Sequence, residues 1–244
     1  NEDLSWEKTS TLNLGLDMTL FKRYTLNLSW YDKITNDLIT DVSIVPSSGF
    51  TSYKDNMGKV RNRGVEVNLN VNAIQKQDWG LNVFFRASHN KNRIMEISDA
   101  LKEYNQKVDD YYSKYPNYNK PLLKYTEGAS LTSIYAVRSL GISPANGQEV
   151  FLDANGKVTY DWNATNQVVV GNTEPKLQGS FGFNFRWKRW TLFTAALFET
   201  GGDLYNSTLV DNVECADIWK SNVDKRVYTQ RWLEPGDVAP LKSI

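Results

Sequence analysis

The chain has one cysteine, Cys215, and one histidine, His89, in 244 residues. A single cysteine permits no internal disulfide and no cysteine-rich zinc site. A Ser-His-Asp triad or a multi-histidine metal centre would hang on one ring. Neither residue has a chemical partner near it in sequence, so both read as structural. Charge of one sign is missing too. Twenty-eight Lys and Arg face 28 Asp and Glu, which leaves no net field to draw nucleic acid. Long apolar runs are absent: mean hydropathy is −0.50, and no stretch approaches the roughly 18 apolar residues of a membrane helix. That excludes helical spans. It leaves open a membrane barrel, whose strands are apolar only at every second position. No secretory leader stands at Asn1. The chain opens inside an apparent element and stops at LEPGDVAPLKSI with none completed, which reads as an excised piece of a longer protein.

What the chain does have is alternation. In residues 9–20, Leu12, Leu14, Leu16, Met18 and Leu20 share one face, opposite Thr11, Asn13, Gly15, Asp17 and Thr19. A short turn at Phe21, Lys22 and Arg23 leads into 24–34, where Tyr24, Leu26, Leu28 and Trp30 alternate with Thr25, Asn27 and Ser29. After a longer connection through Val45, Pro46 and Gly49, residues 64–72 set Val65, Val67, Leu69 and Val71 against Glu66, Asn68 and Asn70. A modest turn precedes a fourth strand at 79–88. A last hairpin pairs 179–187 with 190–199 around Lys188 and Arg189; its second arm is apolar on both faces, so pattern alone does not assign its inside. The period of two predicts an all-β, antiparallel protein of six long strands in three hairpins. Between 93 and 177 long alternation is absent. That span holds a weakly helical part at 99–115 and a small hairpin, EVFLDANGKVTY, with a type I′ turn predicted at Asn155 and Gly156.

A soluble β-sandwich has the same period of two. Three features favour lipid over a protein core. The arms approach the roughly 9–11 residues that span a bilayer. Short turns alternate with long connections, the habit of outer-membrane barrels. Aromatics gather beside the short turns: Phe21, Tyr24, Trp79, Trp187 and Trp190, as in an interfacial belt. Six strands cannot close a membrane barrel, and an open edge in lipid leaves backbone groups unsatisfied. The chain would therefore be an arc.

Several stretches resemble the C-terminal barrel region of SusC/RagA-like TonB-dependent outer-membrane transporters. They are LSWEKTSTLNLGLDMTLF, LSWYDKITNDLI, PSSGF, NMGKVRNRGVEVNLNV, NKNRI, YTEGASLTSIYAVRSLGISPANGQEVFLDANGKV and GNTEPKLQGSFGFNF, in that order. The resemblance implies a transmembrane β-barrel of about 22 strands in the bacterial outer membrane, with long extracellular loops and an N-terminal plug. It implies a SusD-like surface lipoprotein as partner, TonB as energy source, and oligosaccharide or peptide cargo. It implies no cofactor and no enzymatic activity. Neither plug nor TonB box is present in these residues. On that reading Leu12, Leu14, Leu16, Val65, Val67, Leu69 and Val71 face lipid, while Tyr24, Trp79, Trp187 and Trp190 form the belt.

The stretch YYSKYPNYNKPLLKY offers Tyr111, Tyr112, Tyr115, Tyr118 and Tyr125. Their rings suit stacking on sugars or packing against a partner; folding the loop onto itself is the plain alternative. Asp153, Asn155 and Gly156 lack the spaced acidic ligands of a calcium loop and read as a hairpin turn. Asp109 and Asp110 read as solvated loop carboxylates, and Asn163 and Asn206 as sequons by pattern only. Two other readings remain: a soluble glycan-binding β-sandwich, and an extracellular β-fold hydrolase, for which no acid/base pair can be nominated.

Overall fold

The structure, a computed structural model, describes residues 4–43, 52–115, 122–217, 219 and 222–243. The connection through Val45, Pro46 and Gly49, the PSSGF stretch and Tyr118 lie outside the described residues. Two compact units are present. The first comprises Asn1–Tyr104, Tyr125–Thr132 and Asn172–Asp203; the second comprises Asn105–Lys124, Ser133–Gly171 and Leu204–Ile244.

The first unit is built on six antiparallel strands: β1 (Lys8–Leu20), β2 (Tyr24–Asn36), β5 (Gly58–Gln75), β6 (Trp79–Ile97), β12 (Leu177–Trp187) and β13 (Trp190–Thr200). They neighbour one another in chain order, with β1 and β13 at the edges. A short hairpin of β3 (Ile39–Ser43) and β4 (Ser52–Asn56) extends the β2–β5 connection. The turns between β1 and β2 and between β12 and β13 place Phe21, Lys22 and Lys188 at positive φ.

The registers carry the alternation across the whole sheet. Leu16, Leu28, Val67, Ala87, Gly179 and Phe198 form one row, and Met18, Leu26, Leu69, Phe85, Phe181 and Ala196 the next. On the opposite face run Asp17, Asn27, Asn68, Arg86, Ser180 and Leu197, then Gly15, Ser29, Glu66, Ser88, Gln178 and Glu199. The apolar face is not packed away: Leu14 is 60% exposed, Phe181 51% and Leu192 54%. Apart from Phe84, on the opposite face, the buried hydrophobics of this unit gather toward the long-connection end of the sheet. There Met57, Val60 and Leu101 form a core, with Leu38, Ile97, Tyr104, Tyr125 and Leu131 against it.

Two strands run longer than their alternation predicts. The third begins at Gly58, and the fourth continues to Ile97, past the point where the long insertion was expected to start. Beyond Val65 and His89 the formerly apolar face carries Arg61, Arg63, Lys91 and Arg93, while the other face keeps Asn62, Asn90 and Asn92. With both faces polar, hydropathy no longer alternates although the ladder does.

The second unit contains a three-stranded sheet of β8 (Arg138–Ile142), β9 (Glu149–Leu152) and β10 (Val158–Thr159), and a two-stranded pair of β7 (Ser133–Ala136) with β11 (Val168–Asn172). The β9–β10 hairpin is present, but its turn is not type I′. Among the described residues only Gly156 of the loop has positive φ, and its N–H donates to the Asp153 carbonyl at 3.0 Å. That is a three-residue loop ending on a left-handed glycine. The Asp153 carboxylate accepts from the N–H groups of Asn155 and Lys157, holding the loop. A separate core forms from Val213, Val227 and Leu241. Beside it the buried guanidinium of Arg231 donates to the carbonyls of Val213, Glu214 and Lys242.

Candidate functional site

The polar face of the six-stranded sheet carries a connected set of amides and hydroxyls. Tyr31 projects from β2 over Gly64 of β5, where a Cβ would fall inside the tyrosine ring. Its hydroxyl donates to Asn90 Oδ1 at 2.9 Å. Asn90 Nδ2 donates to Glu174 Oε1 at 2.5 Å. Asn62 Oδ1 accepts from Asn92 at 2.9 Å and, at 3.3 Å, from Asn90. Asn92 Oδ1 in turn accepts from the Ser130 hydroxyl and the Leu131 N–H. Nearby, Asn172 Oδ1 accepts from the Thr132 hydroxyl at 2.6 Å and the Glu174 N–H at 3.0 Å. The network ties residues 130–132 and 172–174 to the polar side of β5 and β6. Four residues of the stretch NMGKVRNRGVE have structural roles here. Asn56 holds the Ser5 and Asp37 backbone, Gly58 takes φ +114 against the Glu96 carbonyl, Asn62 enters the amide chain and Gly64 admits Tyr31.

Closer to the short turns, the same face opens into a cleft of about 400 Å³ lined by Glu66, Asn68, Arg86, Ser88, Gln178 and Glu199, among others. It offers charges of both signs and neutral hydrogen-bonding groups. The strand register also settles β13. Phe193, Ala195 and Leu197 lie on the polar-face side, and Phe193 stacks on Phe84 at 5.9 Å. Leu192, Ala196 and Phe198 lie on the apolar side.

The predicted lipid-facing residues share the apolar face. Leu12, Leu14 and Leu16 are 57%, 60% and 53% exposed on the edge strand; Val65 is exposed, and Val67, Leu69 and Val71 are half-buried among their neighbours. Of the predicted belt, Trp79, Trp187 and Trp190 stand in one register row. Trp79 lies 5.8 Å from Trp187 and 5.4 Å from Phe185. Tyr24 does not share that row; it pairs with Val71, which faces Val83, four residues along β6 from Trp79. A tilted sheet staggers its turns in this way.

The tyrosine stretch needs a correction. Tyr111 and Tyr112 are not in a loop but on α1 (Asp99–Lys114), where consecutive residues point about 100° apart. Leu101, Val108 and Tyr112 fall on its buried side. Tyr112 is 2% exposed, packs on Trp162 at 5.8 Å and accepts from the Leu122 N–H at 2.8 Å. It is a folding residue and no contact candidate. Tyr111 and Tyr115 are 40% and 46% exposed, with ring centroids 4.7 Å apart. Tyr125 is half-buried against Tyr104 in the first unit, and burial pushes its hydroxyl above the ordinary range.

The remaining chemistry-bearing residues are engaged structurally. Asp109 is taken by Lys124 at 2.7 Å, and Asp110 accepts from Gln106. Asn163 and Asn206 accept the backbone N–H groups of Thr165 and Leu209, capping short helical turns. His89 Nδ1 lies 2.5 Å from the Lys176 carbonyl oxygen. Among the described residues no group of three or more His, Cys, Asp or Glu could hold a metal. What the polar face offers is non-covalent contact through amides, hydroxyls and a few charges.

The family model described as TonB dependent receptor-like, beta-barrel matches residues 1–223. TonB-dependent receptor P39 of Formosa agariphila is 25% identical over all of this chain and 27% of its own length. TonB-dependent receptor SusC of Bacteroides thetaiotaomicron is 27% identical over 76% of this chain and 19% of its own. The chain thus spans about a quarter or less of the curated relatives it matches. Among solved structures, the RagAB peptide transporter aligns over 100% of this chain and 26% of its own, with a TM-score of 0.75 at 23% identity. That likeness is one of fold.

Proposed function

The chain belongs to the TonB-dependent receptor-like β-barrel family, and from that membership we propose that its six strands are a wall segment of an outer-membrane nutrient importer of the SusC type. One observation carries the proposal: a single sheet with a continuous exposed apolar face and a hydrogen-bonded polar face. A β-sandwich would cover the apolar face with a second layer. Lipid covers it without one. The dimensions agree. From Trp79 to His89 along β6 is ten residues, about 33 Å of strand. At the usual tilt near 45° that rises about 23 Å, close to the roughly 25 Å apolar band of such barrels.

On this reading Leu14, Leu16, Val65, Val67, Leu69 and Val71 touch lipid, with Leu12 near the boundary, and the tryptophan row lies at one interface. The amide network and the cleft beside Arg86 face the lumen. They bind and pass a polar cargo, an oligosaccharide or a peptide, and catalyse nothing. The SusC/RagA-like stretches of the sequence support a paired surface lipoprotein, and the family name supports TonB as the energy source. Tyr111 and Tyr115 are the exposed aromatic pair offered to cargo or lipoprotein.

The test is to extract the full-length parent from outer membrane in detergent and identify what comes with it by mass spectrometry. A heat-modifiable barrel with a stoichiometric surface lipoprotein is the expected result. A soluble monomer would remove the proposal; a barrel recovered alone would point to a solitary receptor.

A further inference from the structure

The apolar face ends differently at its two ends. Toward the short turns it closes on Trp79, Trp187 and Trp190. Toward the long connections it closes on charge. The row of Leu14, Trp30, Val65 and His89 is followed on the same face by Leu12, Asp32, Arg63 and Lys91, then by Ser10, Ile34, Arg61 and Arg93, so that the charge gathers on β5 and β6. Four cations thus meet one carboxylate. Asp32 already binds Arg61 through two nitrogens and Arg63 at 3.0 Å. It fixes both guanidinium groups without neutralising the patch. Arg63 remains 51% exposed, and Lys91 and Arg93 are exposed. No ion pair among the described residues engages Lys91 or Arg93.

A cluster fixed by one shared carboxylate and left short of anions is built to meet more of them. Its position says which. It begins one row beyond a lipid-length apolar band and lies on the same side of the strands. A bilayer wetting that band brings its headgroups to this height. We infer that Arg61, Arg63, Lys91 and Arg93 form a binding site for the phosphate of a membrane lipid headgroup. Arginine pairs with phosphate oxygens through two parallel N–H bonds, and lysine adds a point charge. The inference rests on the barrel reading above.

The test uses the full-length parent in nanodiscs of phosphatidylcholine doped with lipid A, a phosphorylated glycolipid, or with its dephosphorylated form. Native mass spectrometry counts the retained molecules. Each basic side chain beside an anionic surface is worth about fivefold in binding. Combining Arg63→Gln, Lys91→Gln and Arg93→Gln should therefore lower retention of the phosphorylated lipid by at least about tenfold. Arg63→Lys with Arg93→Lys should keep most of it. A control removing equal charge from the second unit, at Arg138, Lys157 and Lys225, should change nothing. Equal retention by the neutralised and native proteins would overturn the site. So would equal retention of the dephosphorylated lipid by the native protein. Heat-modifiable migration is scored in parallel: if the native protein never inserts, the barrel reading fails first and the headgroup site with it.

Discussion

Gly64 stands where a side chain has no room, because the Tyr31 ring already fills the space above it. Gly64→Ala should destabilise the folded barrel by about 1–3 kcal/mol, the usual cost of overpacking. The loss should shrink when Tyr31→Ala is added; urea unfolding in detergent measures both. Tyr31→Phe keeps the ring and drops the bond to Asn90, so it should cost about 1 kcal/mol. In the second unit, burial and the nearby Glu149 carboxylate hold the Glu214 carboxyl above its ordinary range. An acid raised in the folded state binds its proton more tightly there than in the unfolded chain. Its contribution is fully present below the unfolded value and is lost as pH rises through the folded one. Limited proteolysis across 204–243 should show better protection at acidic than at neutral pH, and Glu214→Gln should flatten the difference.

At the scale of elements, two neighbouring positions separate the faces. Val67 lies opposite Leu28 on the apolar face, and Ser29, one residue on, pairs with Glu66 on the polar face. Val67→Arg should cost about 2–4 kcal/mol if its side chain meets the bilayer midplane. Ser29→Arg, beside a carboxylate, should change stability by no more than about 0.5 kcal/mol. Folding yield into detergent or lipid reads both, and equal effects would argue against a lipid face. On α1, Tyr111→Ala with Tyr115→Ala should weaken cargo or lipoprotein binding and spare assembly. Tyr112→Ala should instead loosen the second unit by about 3–5 kcal/mol, as for other buried aromatics. The six strands, their three hairpins and the faces of five of them were legible because alternation is a local signal. The buried side of α1 was not legible: the sequence offered Tyr112 as a contact residue, and Trp162, which covers it, lies fifty residues downstream.

For the whole molecule, six strands leave two edges, β1 and β13, and lipid tolerates no unpaired strand edge. The working protein on this reading is a larger closed barrel, and its assembly is the measurement that matters. Deleting β13 from the full-length parent should abolish heat-modifiable migration altogether, rather than lower its midpoint, because closure is all or none.

Sequence alone determined the class. An alternating chain without long apolar runs specifies strands with two unlike faces, and adjacent aromatics and turns order them into hairpins. Tertiary structure decided the rest. Where Arg61, Arg63, Lys91 and Arg93 replace the apolar residues, both faces are polar and only the ladder shows that β5 and β6 continue. Where β13 is apolar on both faces, only its register against β12 assigns Phe193 and Leu197 to one side. The chain from Tyr31 through Asn90 and Asn62 to Asn92 joins residues far apart in sequence. A hydropathy pattern reports what each residue does to its own neighbours along the chain. Register, burial and hydrogen-bond partners depend on residues that only folding brings together.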